Sequence, residues 1–288
     1  MSSFKKVLMG GEWEPQFWDA NLSLEAACDR YAEQAKSFGL TALQVNFIPD
    51  PYHPLLFAYP GEVYLYFGNY AASLDMFADS SYSRGIYPPF MMQANLHRLR
   101  TLAKAAERHG LGAFLYVGEP RFVHPELLRR YPNWRGPRVD NPAVSMTPLY
   151  ALDTDRDDVL DHYRQMMRTV TQAAPNLTDL VLFCHDSGAG FSHSYALYAG
   201  PNGPFYNSTF FHRPAKLGQR VVRFCKALRD TALETWWNRA LHLRSGGYDR
   251  LLLPAPYSPT RNAIRPKYRT WKVYVQEIVW MQIGRAHV

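Results

Sequence analysis

Residues 95–121, NLHRLRTLAKAAERHGLGAFLYVGEPR, change their periodicity within one short stretch. Leu96, Leu99, Leu102 and Ala106 recur at helical spacing, Gly110 ends the run, and Ala113–Val117 is then apolar without interruption. An apolar strand directly after an amphipathic helix is the unit of a parallel sheet covered by helices. The same grammar appears upstream and downstream. Asn21–Phe38 carries Leu24, Ala27, Tyr31, Ala35 and Phe38 on one face, stops at Gly39, and leads into an expected strand at Thr41–Ile48. A third helix is expected over Asp155–Ala173, with Asp155, Asp157 and Asp158 at the positive end of its dipole, followed by the strand Leu180–Cys184. A fourth runs from Pro214, a good first-turn residue, to Trp237, and Leu251–Leu253 and Lys272–Val279 are further strand candidates.

This alternation predicts an α/β fold. Within that class a (β/α)8 TIM-type barrel is expected over a doubly wound sheet, because no strand leads into a glycine-rich phosphate loop and polar residues gather just after strand ends. Those positions hold Asn46 and Asp50, then Glu119 and Arg121, then His185 and Asp186. In a barrel they share the rim where chemistry sits. The connection Pro49–Ala94 is long for a βα loop and rich in tyrosine: Tyr52, Tyr59, Tyr64, Tyr66, Tyr70, Tyr82 and Tyr87. Flat rings with a polar edge suit a sugar, so Tyr66, together with Asn69 and Trp13, joins Asn46, Arg121 and His193 as expected substrate-binding residues. Packing of the loop onto the barrel is the alternative use of the same rings.

The densest polar run is Cys184-His185-Asp186-Ser187-Gly188-Ala189-Gly190-Phe191-Ser192-His193. Ser187 fails as a hydrolase nucleophile because the elbow motif needs glycine two residues earlier, where His185 stands. His185, Asp186 and His193 are competent metal ligands, although their spacing fits no strong signature, and a metal-dependent hydrolase stays open as an alternative. Gly118-Glu119-Pro120-Arg121 puts a carboxylate and a guanidinium two residues apart, able to pair or to grip hydroxyls.

These segments in order, with HPELLRRYPNWRG (124–136), DTDRDDVLDHYRQMM (153–167) and APNLTDLVLFCHDSGAG (174–190), resemble the catalytic barrel of the glycoside hydrolase superfamily that includes the family 20 β-N-acetylhexosaminidases. The resemblance covers about residues 20–235. It implies hydrolysis of a glycosidic bond, with carboxylates at the end of the fourth strand. In family 20 that strand ends in an Asp–Glu pair. Here Asp186 stands in the place of the Asp and Ser187 in that of the Glu, and serine at neutral pH is a poor proton donor. The expected catalytic set is therefore Asp186 with Glu119, and His185 tuning or replacing the acid. A non-catalytic carbohydrate-binding barrel is the remaining alternative.

Composition narrows the partners. The 288 residues carry a formal charge of +7, which invites a nucleic-acid reading. That charge is segregated: residues 1–212 hold 17 basic and 21 acidic side chains, and residues 213–288 hold 15 basic and 4 acidic. The excess is ascribed to solvated outer helices, so the expected partner is carbohydrate, with neither nucleic acid nor membrane and no cofactor. Cys28, Cys184 and Cys225 are odd in number and lack paired metal spacing, and are expected to be reduced and buried. No export signal or long apolar span is evident, which gives a cytoplasmic expectation. The ending Ile283-Gly284-Arg285-Ala286-His287-Val288 resembles a translated sequencing adaptor. Residues 1–282 are accordingly expected to form one barrel-like domain lacking its last part, with an open edge and poor solubility.

Overall fold

The computed structural model describes residues 8–9, 21–46, 72–138, 149–183, 190–191, 214–235 and 272–276. They form a mixed α/β fold around a parallel sheet. In chain order the main elements are β1 (Leu8–Met9), α1 (Leu24–Ser37), β2 (Ala42–Gln44), α2 (Pro89–Arg108), β3 (Gly112–Gly118), α3 (Pro125–Arg130), β4 (Arg135–Arg138), β5 (Tyr150–Leu152), α4 (Asp157–Ala173), β6 (Leu177–Phe183), α5 (Pro214–Thr235) and β7 (Lys272–Gln276). A 3-10 turn, Leu74–Met76, lies between β2 and α2.

The sheet order is β1-β2-β3-β6-β7, every pair parallel. Spatial order thus follows chain order, with no reversal and no switch point of the doubly wound kind. Residues of α1, α2, α4 and α5 share one core cluster with Ala113, Leu115 and Val117 of β3 and Leu180 and Leu182 of β6. Phe114, Tyr116 and Val181 alternate with these and are buried as well. Burial on both faces explains why β3 reads as an unbroken apolar run. The parallel sheet of the described residues thus holds five strands, beside the antiparallel pair β4–β5. The expected eight-stranded closure is not reached among them.

Local chemistry sets the element ends. Ser23 caps α1 by accepting from the Ala26 N–H at 3.2 Å, and Gly39 and Gly110 follow α1 and α2 with φ of 74° and 71°. That left-handed region strains any residue with a Cβ. Helix α2 begins at Pro89, six residues before the start expected at Asn95. The apolar periodicity of the sequence begins only at Leu96. Pro89 occupies the first turn, and Asn95, inside the helix, donates to the Met76 carbonyl at 3.0 Å. The third helix starts at Asp157, two residues after the expected Asp155, because Arg156 at its N-cap is extended. Strand β6 begins at Leu177, ahead of the expected Leu180, and β7 realises part of the expected Lys272–Val279 strand. Leu251–Leu253, Cys184 and Trp237 lie outside the described residues.

The charge segregation also finds a physical cause. Arg220 of α5 makes a two-pronged ion pair with Asp155, while Arg223 reaches Asp157 at 2.5 Å and the Asp155 carbonyl. The side chains of Arg220 and Arg229 are only 4% and 6% exposed. The expectation of solvated basic residues on this helix is therefore corrected: part of the basic excess neutralises the acidic start of α4. Burial pushes the thiols of Cys28 and Cys225 up to about 12, so both are inert near neutral pH.

Candidate active site at the end of strand β3

Glu119 follows the last residue of β3, at the carboxyl edge of the sheet, and its peptide bond to Pro120 is cis. Its side chain is 2% exposed. Oε1 accepts from the Leu74 N–H at 2.8 Å and Oε2 from the Arg121 N–H at 3.1 Å, and the Tyr163 hydroxyl of α4 donates to the same carboxyl. Those bonds favour the carboxylate. Burial outweighs them, and with the added charge of Asp75 it pushes Glu119 up to about 8. A carboxyl tuned this way holds a proton at neutral pH and is suited to giving it up.

Asp75, in the 3-10 turn, is the second carboxyl of the cluster. It accepts hydrogen bonds from the hydroxyls of Ser73 and Tyr87, and burial raises it above the ordinary aspartate range. The Tyr87 hydroxyl also accepts from the His124 N–H at 3.2 Å. Arg121 is 2% exposed, its guanidinium 4.4 Å above the Phe122 ring, and its charge acts on both Asp75 and Glu119. A small cleft, with room for about one water molecule, is lined by Ser73, Asp75, Glu119, Arg121, His162 and Tyr163 among others.

The elements that converge here are held by buried polar bonds. His162 of α4 shares a hydrogen bond of 2.7 Å with the Ser80 hydroxyl, and burial drives it down to about 3, so it stays neutral. Ser80 also accepts from the Tyr82 N–H at 3.0 Å. Tyr82, Tyr131, Trp134 and His162 form a continuous ring cluster, with Tyr131 stacked on Trp134 at 4.5 Å. The Trp134 indole donates to Asp158 at 2.9 Å. Of the loop tyrosines, Tyr82 belongs to this ring cluster, and Tyr87 packs edge-on against His124.

Asn46 lies at the end of β2 and is 1% exposed. Its carboxamide donates to the Tyr116 carbonyl at 2.6 Å and accepts from the Tyr116 N–H at 2.9 Å. Its side chain thus stands in for a strand residue, a role that differs from the substrate contact expected for it. Ala72 resumes the ladder beside Val117, accepting from the Gly118 N–H at 3.0 Å. Of the expected site residues, the structure brings Glu119 and Arg121 together. Asp186, His185, His193, Tyr66, Asn69 and Trp13 lie outside the described residues, as do Asp50 and the ligand set of the metal alternative. Among the described residues no group of three metal-ligating side chains occurs, and no helix is long and apolar enough to cross a membrane. Asp75, Tyr87 and Tyr163 complete the cluster from positions far from Glu119 in sequence, and none carries a motif that would mark it.

No protein-family model matches the chain, and no curated protein does. Among solved structures it is similar to the α-galactosidase from Lactobacillus brevis, with 16% identity and a TM-score of 0.39 over 75% of this chain and 24% of that one. It is also similar to the family 36 α-galactosidase AgaA from Geobacillus stearothermophilus in complex with stachyose, with 17% identity and a TM-score of 0.37 over 74% and 24%. A third is the pneumococcal virulence factor StrH, whose structure concerns N-glycan recognition and hydrolysis, with 10% identity and a TM-score of 0.41 over 84% and 58%. The chain spans about a quarter of the length of the α-galactosidases it matches.

Proposed function

We propose that this chain is a glycoside hydrolase-like enzyme on a (β/α)8-type barrel, with Glu119 as proton donor to the leaving oxygen and Asp186 as the partner carboxylate. The observation that carries the reading is Glu119 itself: a carboxyl at the carboxyl end of a central parallel strand, bonded at both oxygens and kept in its acid form near neutral pH by burial and a neighbouring carboxyl. Glycosidic cleavage needs one carboxyl that is protonated and one that is ionised. The helix–strand order that resembles the family 20 superfamily supplies the substrate class, and a parallel sheet whose strands follow chain order suits a barrel. Retention would need the two carboxyls about 5–5.5 Å apart and inversion about 6.5–9.5 Å.

The test is a panel of aryl glycosides and oligosaccharides with the unaltered chain, Glu119→Gln and Asp186→Asn. Turnover that falls about 100-fold or more in Glu119→Gln, and that returns for substrates with activated leaving groups, supports the role of acid. Undiminished turnover in both variants removes it. A non-catalytic carbohydrate-binding barrel is the second reading, favoured by the 2% exposure of both Glu119 and Arg121. It predicts binding of a glycan by calorimetry with no hydrolysis of any member of the panel.

A further inference from the structure

Two buried carboxyls and one buried guanidinium meet beside β3, and the arithmetic of their charges has a consequence. Asp75 and Glu119 belong to different segments, 44 positions apart, yet Glu119 accepts from the N–H of Leu74, the residue before Asp75. Arg121 is the cation that acts on both. Among the described residues the remaining groups facing the pair are neutral: the hydroxyls of Ser73 and Tyr87 at Asp75, and Tyr163 at Glu119, with His162 on the pocket wall held uncharged by burial. One positive charge balances one carboxylate. Ionising the second would leave a net negative charge among side chains that are 7% exposed or less.

We propose that Asp75 is a positioning residue for Glu119, competing with it for the single guanidinium of Arg121 and thereby keeping one proton on the pair, placed on Glu119. Asp75 touches no substrate in this arrangement. It acts through the charge it presents, while Ser73 and Tyr87 donate to it and so favour its ionised form. Glu119 also receives donors, but burial, joined by the like charge of Asp75, raises it to about 8. Two carboxyls sharing a proton titrate as a unit rather than as independent sites. The proposal rests on the hydrolase reading only for the use made of that proton.

The experiment is carbon-13 NMR of the full chain labelled at Asp and Glu carboxyls, with the resonances of Asp75 and Glu119 assigned by loss in Asp75→Asn and Glu119→Gln. In the unaltered chain both resonances should show the same two titration steps. Asp75→Asn keeps one acceptor oxygen while removing the charge, and should move the Glu119 midpoint down by about one pH unit or more. Arg121→Gln should move it up. A hydrolase would also show the alkaline limb of its kcat/KM profile shifting down in Asp75→Asn, which a purely structural role would not produce. A single uncoupled step at Glu119 in the unaltered chain overturns the proposal, whether or not the variants fold, as does an unmoved Glu119 midpoint in folded Asp75→Asn. Coupled titration without turnover of any glycoside removes the hydrolase reading and leaves the role of Asp75 standing.

Discussion

The side chain of Asn46 completes a β-ladder: its carboxamide bonds both the N–H and the carbonyl of Tyr116, at 2.9 and 2.6 Å, one position before Ala72 takes over beside Val117. A buried amide that pairs two backbone groups has no good substitute among apolar residues. Asn46→Leu should therefore destabilise the chain by about 2–4 kcal/mol, since it strands a buried donor and a buried acceptor. Asn46→Asp keeps the acceptor and loses the donor. Urea unfolding followed by circular dichroism measures both, and a loss below about 0.5 kcal/mol in Asn46→Leu would show that the bonds contribute little.

The stability of the fold should depend on pH through two groups with opposite signs. His162 is held near 3 in the folded chain, below its unfolded value of about 6.5, so the stability it contributes is present above pH 6.5 and is lost as pH falls toward 3. Glu119 is raised to about 8 from about 4.5, so its contribution is present below pH 4.5 and is lost as pH rises through 8. Glu119→Gln should flatten the alkaline decline and be more stable than the unaltered chain at pH 8, by an amount on the order of a few kcal/mol. Thermal melts from pH 4 to pH 9 give the slopes. A variant that follows the unaltered curve above pH 7 refutes the assignment.

The ion pair that ties α5 to the turn before α4 is asymmetric. The Arg220 side chain is 4% exposed and that of Asp155 is 42% exposed, and Nη1 of Arg220 has no hydrogen-bond partner among the described residues. Removing the carboxylate leaves a buried cation, whereas removing the cation leaves a carboxylate that water reaches. Asp155→Asn should cost about 3 kcal/mol and Arg220→Met about 1 kcal/mol. Equal costs in denaturant titrations would mean that burial of the guanidinium is not the deciding factor.

Gly136 in β4 lies against the backbone of β5. A Cβ there would stand 2.6 Å from the Leu152 carbonyl carbon and 2.8 Å from the Asp153 nitrogen, atoms that cannot move aside without parting the two strands. Gly136→Ala should destabilise by about 1–3 kcal/mol. The near-ultraviolet dichroism of the adjoining Trp134 should weaken with it, and an unaltered spectrum and melting curve would show that the strands yield freely.

What the sequence disclosed of this fold was its local punctuation. Gly39 and Gly110 mark the ends of α1 and α2 because glycine is the residue that takes a positive φ without strain, and Ala113–Val117 marks β3 because both its faces are buried. Glu119 and Arg121 were visible because they follow that strand directly. Asp75 was hidden for a physical reason: it lies in a 3-10 turn with no periodicity, and its significance comes from Tyr87, Arg121 and Glu119, which reach it only in the folded chain. The fate of Arg220 was hidden likewise, since a basic residue on an amphipathic helix reads as solvated until its carboxylate partner is placed.

The junction at Asn46 and Ala72 bears on how β3 is held along its length. Tyr116 is met by the carboxamide of Asn46 and Val117 by the backbone of Ala72, so two positions 26 residues apart in the chain share one strand edge. A change at either contact therefore loosens the tie between distant parts of the chain as well as the strand itself.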